Sequence, residues 1–269
     1  MRTAIGEIVQ RVLMVPPKHF SVEYEINPWM KRGTVVDERK AMDQWTQLKR
    51  AIEGGGSRTE LNIVAPFGAD AGPSEGTAGH GLCLQQWPFL PQQALPFPLS
   101  PRATNRRAAT LRRLLQRTRL ELYGADCAEV FEGGGDAFFS DERTLWAGWG
   151  GPRTNRKAYE HIQKMGDFET VPCELVDPRF YHLDTCLCPV GTDSALWFPP
   201  AFSENAKKEK EAMAFVCNAI TIRRRVISPK GISEETHAKL ASIGYAVKEL
   251  EMGEFMKSGG ACQCLVMKL

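Results

Sequence analysis

Short apolar strands recur in pairs along this chain, punctuated by single helices, and that rhythm limits the fold more than any other feature. Arg11–Val15 ends at Pro16–Pro17 and reads as a buried strand, too short and too abruptly stopped for a helix. Asp37–Ile52 has helical spacing through Met42, Trp45, Leu48 and Ile52, with Asp37 to cap it and Gly54–Gly56 to stop it. A strand at Leu61–Val64, a basic helix at Ala108–Leu120, strands at Glu129–Phe131 and Thr144–Ala147, and a helix opening near Asn155 follow. The second half repeats the pattern: strands at Thr170–Leu175, His182–Cys188 and Ala195–Phe198, a helix over Glu204–Phe215 and a strand at Arg224–Ile227. A helix at Glu234–Ile243 and strands at Ala246–Glu249 and Ala261–Lys268 close the series. Several similar units of this kind define an α/β fold, and 269 residues suffice for one domain, 1–269, with a large core.

Charge and cysteine usage exclude several classes. The formal net charge is +2, and basic runs are confined to Arg223–Arg225 and Arg102–Arg119, which leaves no footprint for nucleic acid or an anionic membrane. The chain opens MRTAIGEIVQ without an apolar leader, and no stretch has the length to cross a bilayer, so the expected location is the cytoplasm. Eight cysteines raise the question of a disulfide scaffold. Cys186/Cys188 and Cys262/Cys264 are one residue apart, however, which on a strand puts each pair on one face in strained geometry for a bridge. That spacing is also wrong for zinc, so thiols in a reducing compartment are expected. Ala65–Arg107 breaks the rhythm, being rich in Pro, Gly, Gln and Ala with little periodicity. A lid, a linker, or a sequence substituted through splicing or a frame change would each produce it.

Four constellations carry chemistry, each with a bland alternative. In KSGGACQCLVMKL, Lys257–Leu269, glycines lead into a strand and bring a cysteine close to backbone amides, where a thiolate becomes a nucleophile if its pKa is lowered. The alternative is that Cys262 and Cys264 are small core residues. His182 and Asp184, in FYHLDTCLC, project to one side of the expected strand, as an acid/base pair or as a structural histidine beside a surface aspartate. EGGGD, Glu132–Asp136, flanks glycines with carboxylates, which suits a cation close to the backbone or a simple turn. Its acidic flanks and the lack of a following GK[ST] exclude a phosphate loop. Arg153, in GGPRTN with Thr154 or Asn155 to cap the next helix, has the planar fork to clamp a carboxylate, or is a solvated surface residue.

Taken together, a thiol, an imidazole, acidic groups and an arginine suit a small amino acid with a guanidinium tail. The stretches MVPPKHFSVEYEINPWM (14–30), FEGGGDAFF (131–139), GGPRTN, VDPRFYHLDTCLCPV (176–190), FPPAFSE (198–204), FVCNAI (215–220), VISPKGIS (226–233) and KSGGACQCL resemble the dimethylarginine dimethylaminohydrolase branch of the pentein superfamily. Arginine deiminases and amidinotransferases belong to the same superfamily. The resemblance implies five ββαβ units around a central cavity, with an aberrant first blade where Ala65–Arg107 falls. It also implies Cys264 as nucleophile, His182 as general acid/base and Glu132 as its acidic partner. Asp184, Asp136 and Arg153 are implied as substrate contacts, and Asp70, in the remnant FGADAG, as a further one. Cys262 stands where relatives tend to carry an apolar residue. The implied reaction is hydrolysis of dimethylarginine to citrulline and dimethylamine through a covalent cysteine intermediate, without cofactor or metal, in a protein compatible with a homodimer. Arginine deimination or amidino transfer would use the same residues, and an inactive binding relative is the reading from another class.

Overall fold

The computed structural model describes residues 11–18, 20–22, 25, 27–54, 60–63, 93–94, 121–122, 129–150, 153–202 and 214–268. β1 (Arg11–Met14) leads through α1 (Glu38–Glu53) to β2 (Glu60–Ile63), which lies parallel to it with Val12 opposite Leu61. β3 (Gln93–Ala94) and β4 (Glu121–Leu122) are parallel neighbours. β5 (Ala137–Asp141) turns back antiparallel into β6 (Thr144–Trp149), and α2 (Ala158–Ile162) then carries the chain to β7 (Glu169–Glu174), parallel to β6. β8 (Leu187–Pro189) and β9 (Ala195–Trp197) form an antiparallel pair. β10 (Ile220–Ile222) and β11 (Arg225–Pro229) form another, and α3 (Glu234–Ser242) crosses over to β12 (Ala246–Leu250), parallel to β11. After α4 (Gly253–Met256), β13 (Met267–Lys268) returns to pair antiparallel with β1.

The described strands therefore form five small sheets, none of which closes on itself, in a mixed α/β architecture. Sheets β5-β6-β7, β10-β11-β12 and β13-β1-β2 share one topology, an antiparallel pair followed by a helical crossover to a parallel strand. Parallel neighbours require such a crossover, whereas antiparallel ones need only a tight turn. The third copy is assembled from both ends of the chain, because β13 supplies the antiparallel partner of β1.

The helices form where local signals place them. The Asp37 side chain accepts a hydrogen bond from the Lys40 amide, Glu38 and Arg50 suit the two ends of the α1 dipole, and Ala41, Trp45, Leu48 and Ile52 make its buried stripe. Ser233 caps α3 by accepting from the Thr236 amide. The α1 stripe packs with Val12, Met14, Phe131, Leu145, Ile162, Ile220 and Phe255 in the main core. A smaller cluster gathers Phe180, Leu183, Leu187 and Phe198, and another Val226, Leu240 and Tyr245. Among the described residues, no helix is long and apolar enough to cross a membrane.

Several expected elements are corrected. Glu129–Phe131 is not a strand; the strand is β5, beyond the glycines. His182–Cys188 is not one strand either. The Thr185 hydroxyl and amide both return to the His182 carbonyl, and the Cys186 amide donates to Leu183, closing a 3-10 turn over Leu183–Thr185. Short polar side chains that bond their own backbone compete in this way with a sheet ladder. Ala261–Lys268 similarly contains a 3-10 turn, Gln263–Leu265, before the short β13. The helix expected from Asn155 begins at Ala158, while β10 and α4 had no sequence counterpart. The helix expected at Ala108–Leu120, most of that at Glu204–Phe215, Asp70, and Ala65–Arg107 except Gln93–Ala94 lie outside the described residues.

Candidate active site

Four turns bring the polar chemistry together, and each directly precedes the first strand of an antiparallel pair. Gly133–Gly135 forms a 3-10 turn between Glu132 and Asp136, ahead of β5. The turn Leu183–Thr185 carries His182 and Asp184 ahead of β8. Asn218 closes a turn on the Phe215 carbonyl ahead of β10. Cys264 lies within the turn Gln263–Leu265 ahead of β13.

The first two turns form an acid/base cluster. His182 Nε2 lies 2.9 Å from Glu132 Oε2 and 3.8 Å from Asp136 Oδ2. Arg153 Nε donates to the same Glu132 oxygen at 2.7 Å. Burial alone would pull the His182 pKa down, but the Asp136 charge and the Glu132 hydrogen bond outweigh it, so the imidazole is held above its ordinary value. Burial would push Glu132 up, yet His182 and Arg153 hold it below the usual carboxylate value. Each group thus favours the charged form of the other.

Both carboxylate oxygens of Asp136 are bonded within the protein. Its Oδ2 accepts from the Thr154 hydroxyl at 2.6 Å and its Oδ1 from the Leu183 amide at 3.0 Å. It therefore ties the β5 turn to the β8 turn while burial raises its pKa. Thr154 is taken up with Asp136 and with the Glu132 amide, and it is Asn155 that accepts from the Lys157 amide near the start of α2. The glycines have a use the sequence reading did not supply. A Cβ on Gly135 would stand 2.7 Å from His182 Nδ1, so the run makes room for the imidazole ring.

The third and fourth turns form the thiol cluster. Cys264 Sγ contacts Asp184 Oδ2 at 3.7 Å and receives the Asn218 side-chain amide at 3.2 Å. Burial and then the Asp184 carboxylate push the Cys264 thiol well up, favouring its neutral form. Cys262 faces the main core instead, and burial pushes its thiol up further from reactivity. All six described cysteines are free and buried.

Tyr181 connects the two clusters. Its ring packs on the His182 ring with centroids 4.8 Å apart and lies 5.4 Å beneath the Arg153 guanidinium, while its hydroxyl donates to the Gly259 carbonyl. Its own pKa is raised by burial and then by Cys264 and Asp184, which puts the phenol in the field of the thiol cluster. Asn218 and Tyr181 were missed by sequence reasoning. The available signal for Asn218 was a lone amide inside the apolar run FVCNAI, where a buried polar group needs partners. Among the described residues no cluster suited to a metal ion is found.

Carboxylates, an imidazole, an arginine and a buried thiol thus lie on the turns ahead of β5, β8 and β13 and on the loop that follows β6. Comparison with known proteins identifies the family. An uncharacterised protein of Caenorhabditis elegans is 45% identical over 278 residues, covering 98% of this chain and 95% of that protein. The bifunctional arginine dihydrolase/ornithine cyclodeaminase ArgZ of Synechocystis is 32% identical over 286 residues, taking in 96% of this chain but 37% of that longer protein. The dimethylarginine dimethylaminohydrolase of Mycobacterium tuberculosis is 29% identical over 97% of this chain and 86% of its own. A substrate-bound cysteine-to-serine mutant of the N-terminal domain of ArgZ matches with a TM-score of 0.83 at 30% identity, over 96% of this chain and 97% of that domain. The same domain has been solved covalently bonded to a reaction intermediate. No protein-family model matches the chain. The chain belongs to the pentein superfamily, in the group that holds the arginine dihydrolases and dimethylarginine dimethylaminohydrolases.

Proposed function

We propose that this protein hydrolyses the guanidinium group of arginine, with Cys264 as the nucleophile. The observation that carries the reading is the contact between Cys264 Sγ and Asp184. A carboxylate beside a thiol opposes thiolate formation, so the arrangement serves nucleophilic chemistry once a cation is held between or alongside them. A guanidinium paired with Asp184 supplies that charge and places its electrophilic carbon next to sulfur.

The remaining groups follow from their geometry. As the guanidinium binds, Cys264 releases its thiol proton to solvent; the thiolate adds to the guanidinium carbon, His182 gives its proton to the departing amine, and an amidino-thioether remains. His182 then takes a proton from water, the hydroxide adds to the same carbon, and the thiolate leaves and regains a proton as the adduct's hydroxyl gives up its own to form the citrulline carbonyl. For arginine the balance is one water consumed, one citrulline and one ammonia formed. A second round on citrulline would consume another water and give ornithine, carbon dioxide and ammonia. Glu132 holds His182 protonated and oriented, and Arg153, anchored on Glu132 through Nε, is the ligand for the substrate carboxylate. Asp136 is a positioning residue, because both of its oxygens already accept from the protein. The five sheets are read as five blades of one domain, with the β13–β1 pairing as the closure.

Arginine takes precedence over the dimethylarginine that motif resemblance alone suggested, on the strength of the likeness to the N-terminal domain of ArgZ. Dimethylarginine is kept as a second reading because of the M. tuberculosis relative. Purified protein would be given arginine, citrulline and methylated arginines, and ammonia, citrulline, ornithine and dimethylamine quantified. Ammonia from arginine, abolished in Cys264→Ser, is the expected result. Dimethylamine release without ammonia would select the second reading, and no product from any substrate by folded protein would refute both.

A further inference from the structure

The turns before β5, β8 and β13 carry Glu132, His182 with Asp184, and Cys264. The turn at the same place before β10 carries Asn218, which the mechanism so far leaves without a task. Asn218 is fully buried, and each half of its amide is committed. Oδ1 accepts from the Ala261 amide at 2.9 Å and from the Cys264 amide at 3.4 Å. Nδ2 donates to the Asp184 carbonyl at 3.3 Å and to Cys264 Sγ at 3.2 Å. The amide orientation is settled by these neighbours, since the reverse setting would turn NH2 onto two backbone N–H groups.

We propose that Asn218 is a catalytic hydrogen-bond donor to the Cys264 thiolate, and through Oδ1 also fixes the turn that aims the sulfur. The proposal rests on Cys264 being the nucleophile. Holding the turn needs only Oδ1. The Nδ2–H aimed at sulfur adds a different effect, because a neutral thiol is a weak acceptor whereas a thiolate is a strong one. The donor therefore favours the ionised form selectively and opposes burial and Asp184, which both favour the neutral thiol. It is also built in from the protein side, so it acts whether or not a cation is bound.

The test is the pH profile of iodoacetamide alkylation at Cys264, followed on its own peptide by mass spectrometry, in wild type, Asn218→Ala and the isosteric Asn218→Asp. Both substitutions remove the donor, and the midpoint is expected to rise by about one pH unit or more, slowing labelling at a fixed lower pH roughly tenfold. Turnover of arginine should fall in kcat with KM held. An unmoved labelling profile in a folded variant, whatever its melting temperature, would overturn the proposal. A second measurement needs no variant at position 218. The side-chain amide nitrogen resonance of Asn218 in the wild type is expected to titrate with the Cys264 midpoint and to lose that titration in Cys264→Ser. A resonance indifferent to pH would overturn the proposal as well. If Cys264→Ser hydrolyses arginine at the wild-type rate, the nucleophile reading falls and takes the catalytic role of Asn218 with it, while the alkylation profile still reports the hydrogen bond separately.

Discussion

Replacing Gly135 by alanine tests how tightly the imidazole is held. A Cβ there would lie 2.7 Å from His182 Nδ1 and 3.0 Å from Cγ, about 0.7 Å inside the 3.4 Å at which ordinary contact begins. The ring has little room to retreat, because it is buried, its Nε2 is held by Glu132, and the next amide is tied to Asp136. Overpacking of this size costs about 1–3 kcal/mol. Displacing a catalytic ring by the better part of 1 Å lowers turnover on the order of 100-fold. Gly135→Ala is therefore expected to lose about two decades in kcat on arginine and about 1–3 kcal/mol in urea unfolding. Gly253→Ala is the matched control, since its Cβ would meet Gln44 Nε2 at an ordinary 3.9 Å. A folded Gly135→Ala protein with wild-type kcat and unfolding midpoint would show that the glycine does not set the position of His182.

Glu132→Gln removes a carboxylate that raises the His182 pKa, so kcat is expected to fall about 10²–10⁴-fold and the limb of the pH–rate profile due to His182 to move to lower pH. The stability difference between wild type and Glu132→Gln should itself depend on pH. Glu132, held below 4.5, contributes above that pH and loses its contribution as pH falls through its lowered pKa, while His182, held above 6.5, contributes fully below that pH and loses its contribution as pH rises through its raised pKa. The difference should peak between 4.5 and 6.5, and one that is flat across pH would contradict the coupling. Thr154→Val preserves shape but strips Asp136 Oδ2 of its donor, and a loss of about 1–3 kcal/mol in thermal or urea unfolding is expected. Tyr159→Phe removes donation to the Asp136 and Gly148 carbonyls, and should cost a comparable amount without altering substrate preference.

The parts of the fold legible in sequence are those specified locally. α1 and α3 carry their caps, Asp37 and Ser233, and α1 its apolar stripe, within a few residues, so their starts are visible without the tertiary structure. The 3-10 turns were hidden because strand-like residues surround them and the competing bonds, such as Thr185 onto His182, depend on how the chain bends. Site residues were visible as residue types at motif positions, but their long-range contacts were not. Asp136 looked like a ligand for a cation, and only the long-range bonds to Thr154 and Leu183 show it bracing two turns. Asn218 lies 46 residues from the sulfur it touches, a separation that no periodicity or cap signal can bridge.

Those separations follow from the repeat. His182 reaches Glu132 across 50 residues, and Cys264 reaches Asn218 across 46, each about one ββαβ unit. A turn preceding the same strand of each unit enters its sheet from the same end, so repeating the unit gathers one turn per unit without any dedicated loop. The first strand of each pair then acts as a rigid support directly behind a functional side chain, with β5 behind Asp136, β8 behind Asp184, β10 behind Asn218 and β13 behind Cys264. The last of these is special, because β13 pairs with β1 at the opposite end of the chain. The position of the sulfur therefore depends on the β13–β1 pairing as well as on its own turn.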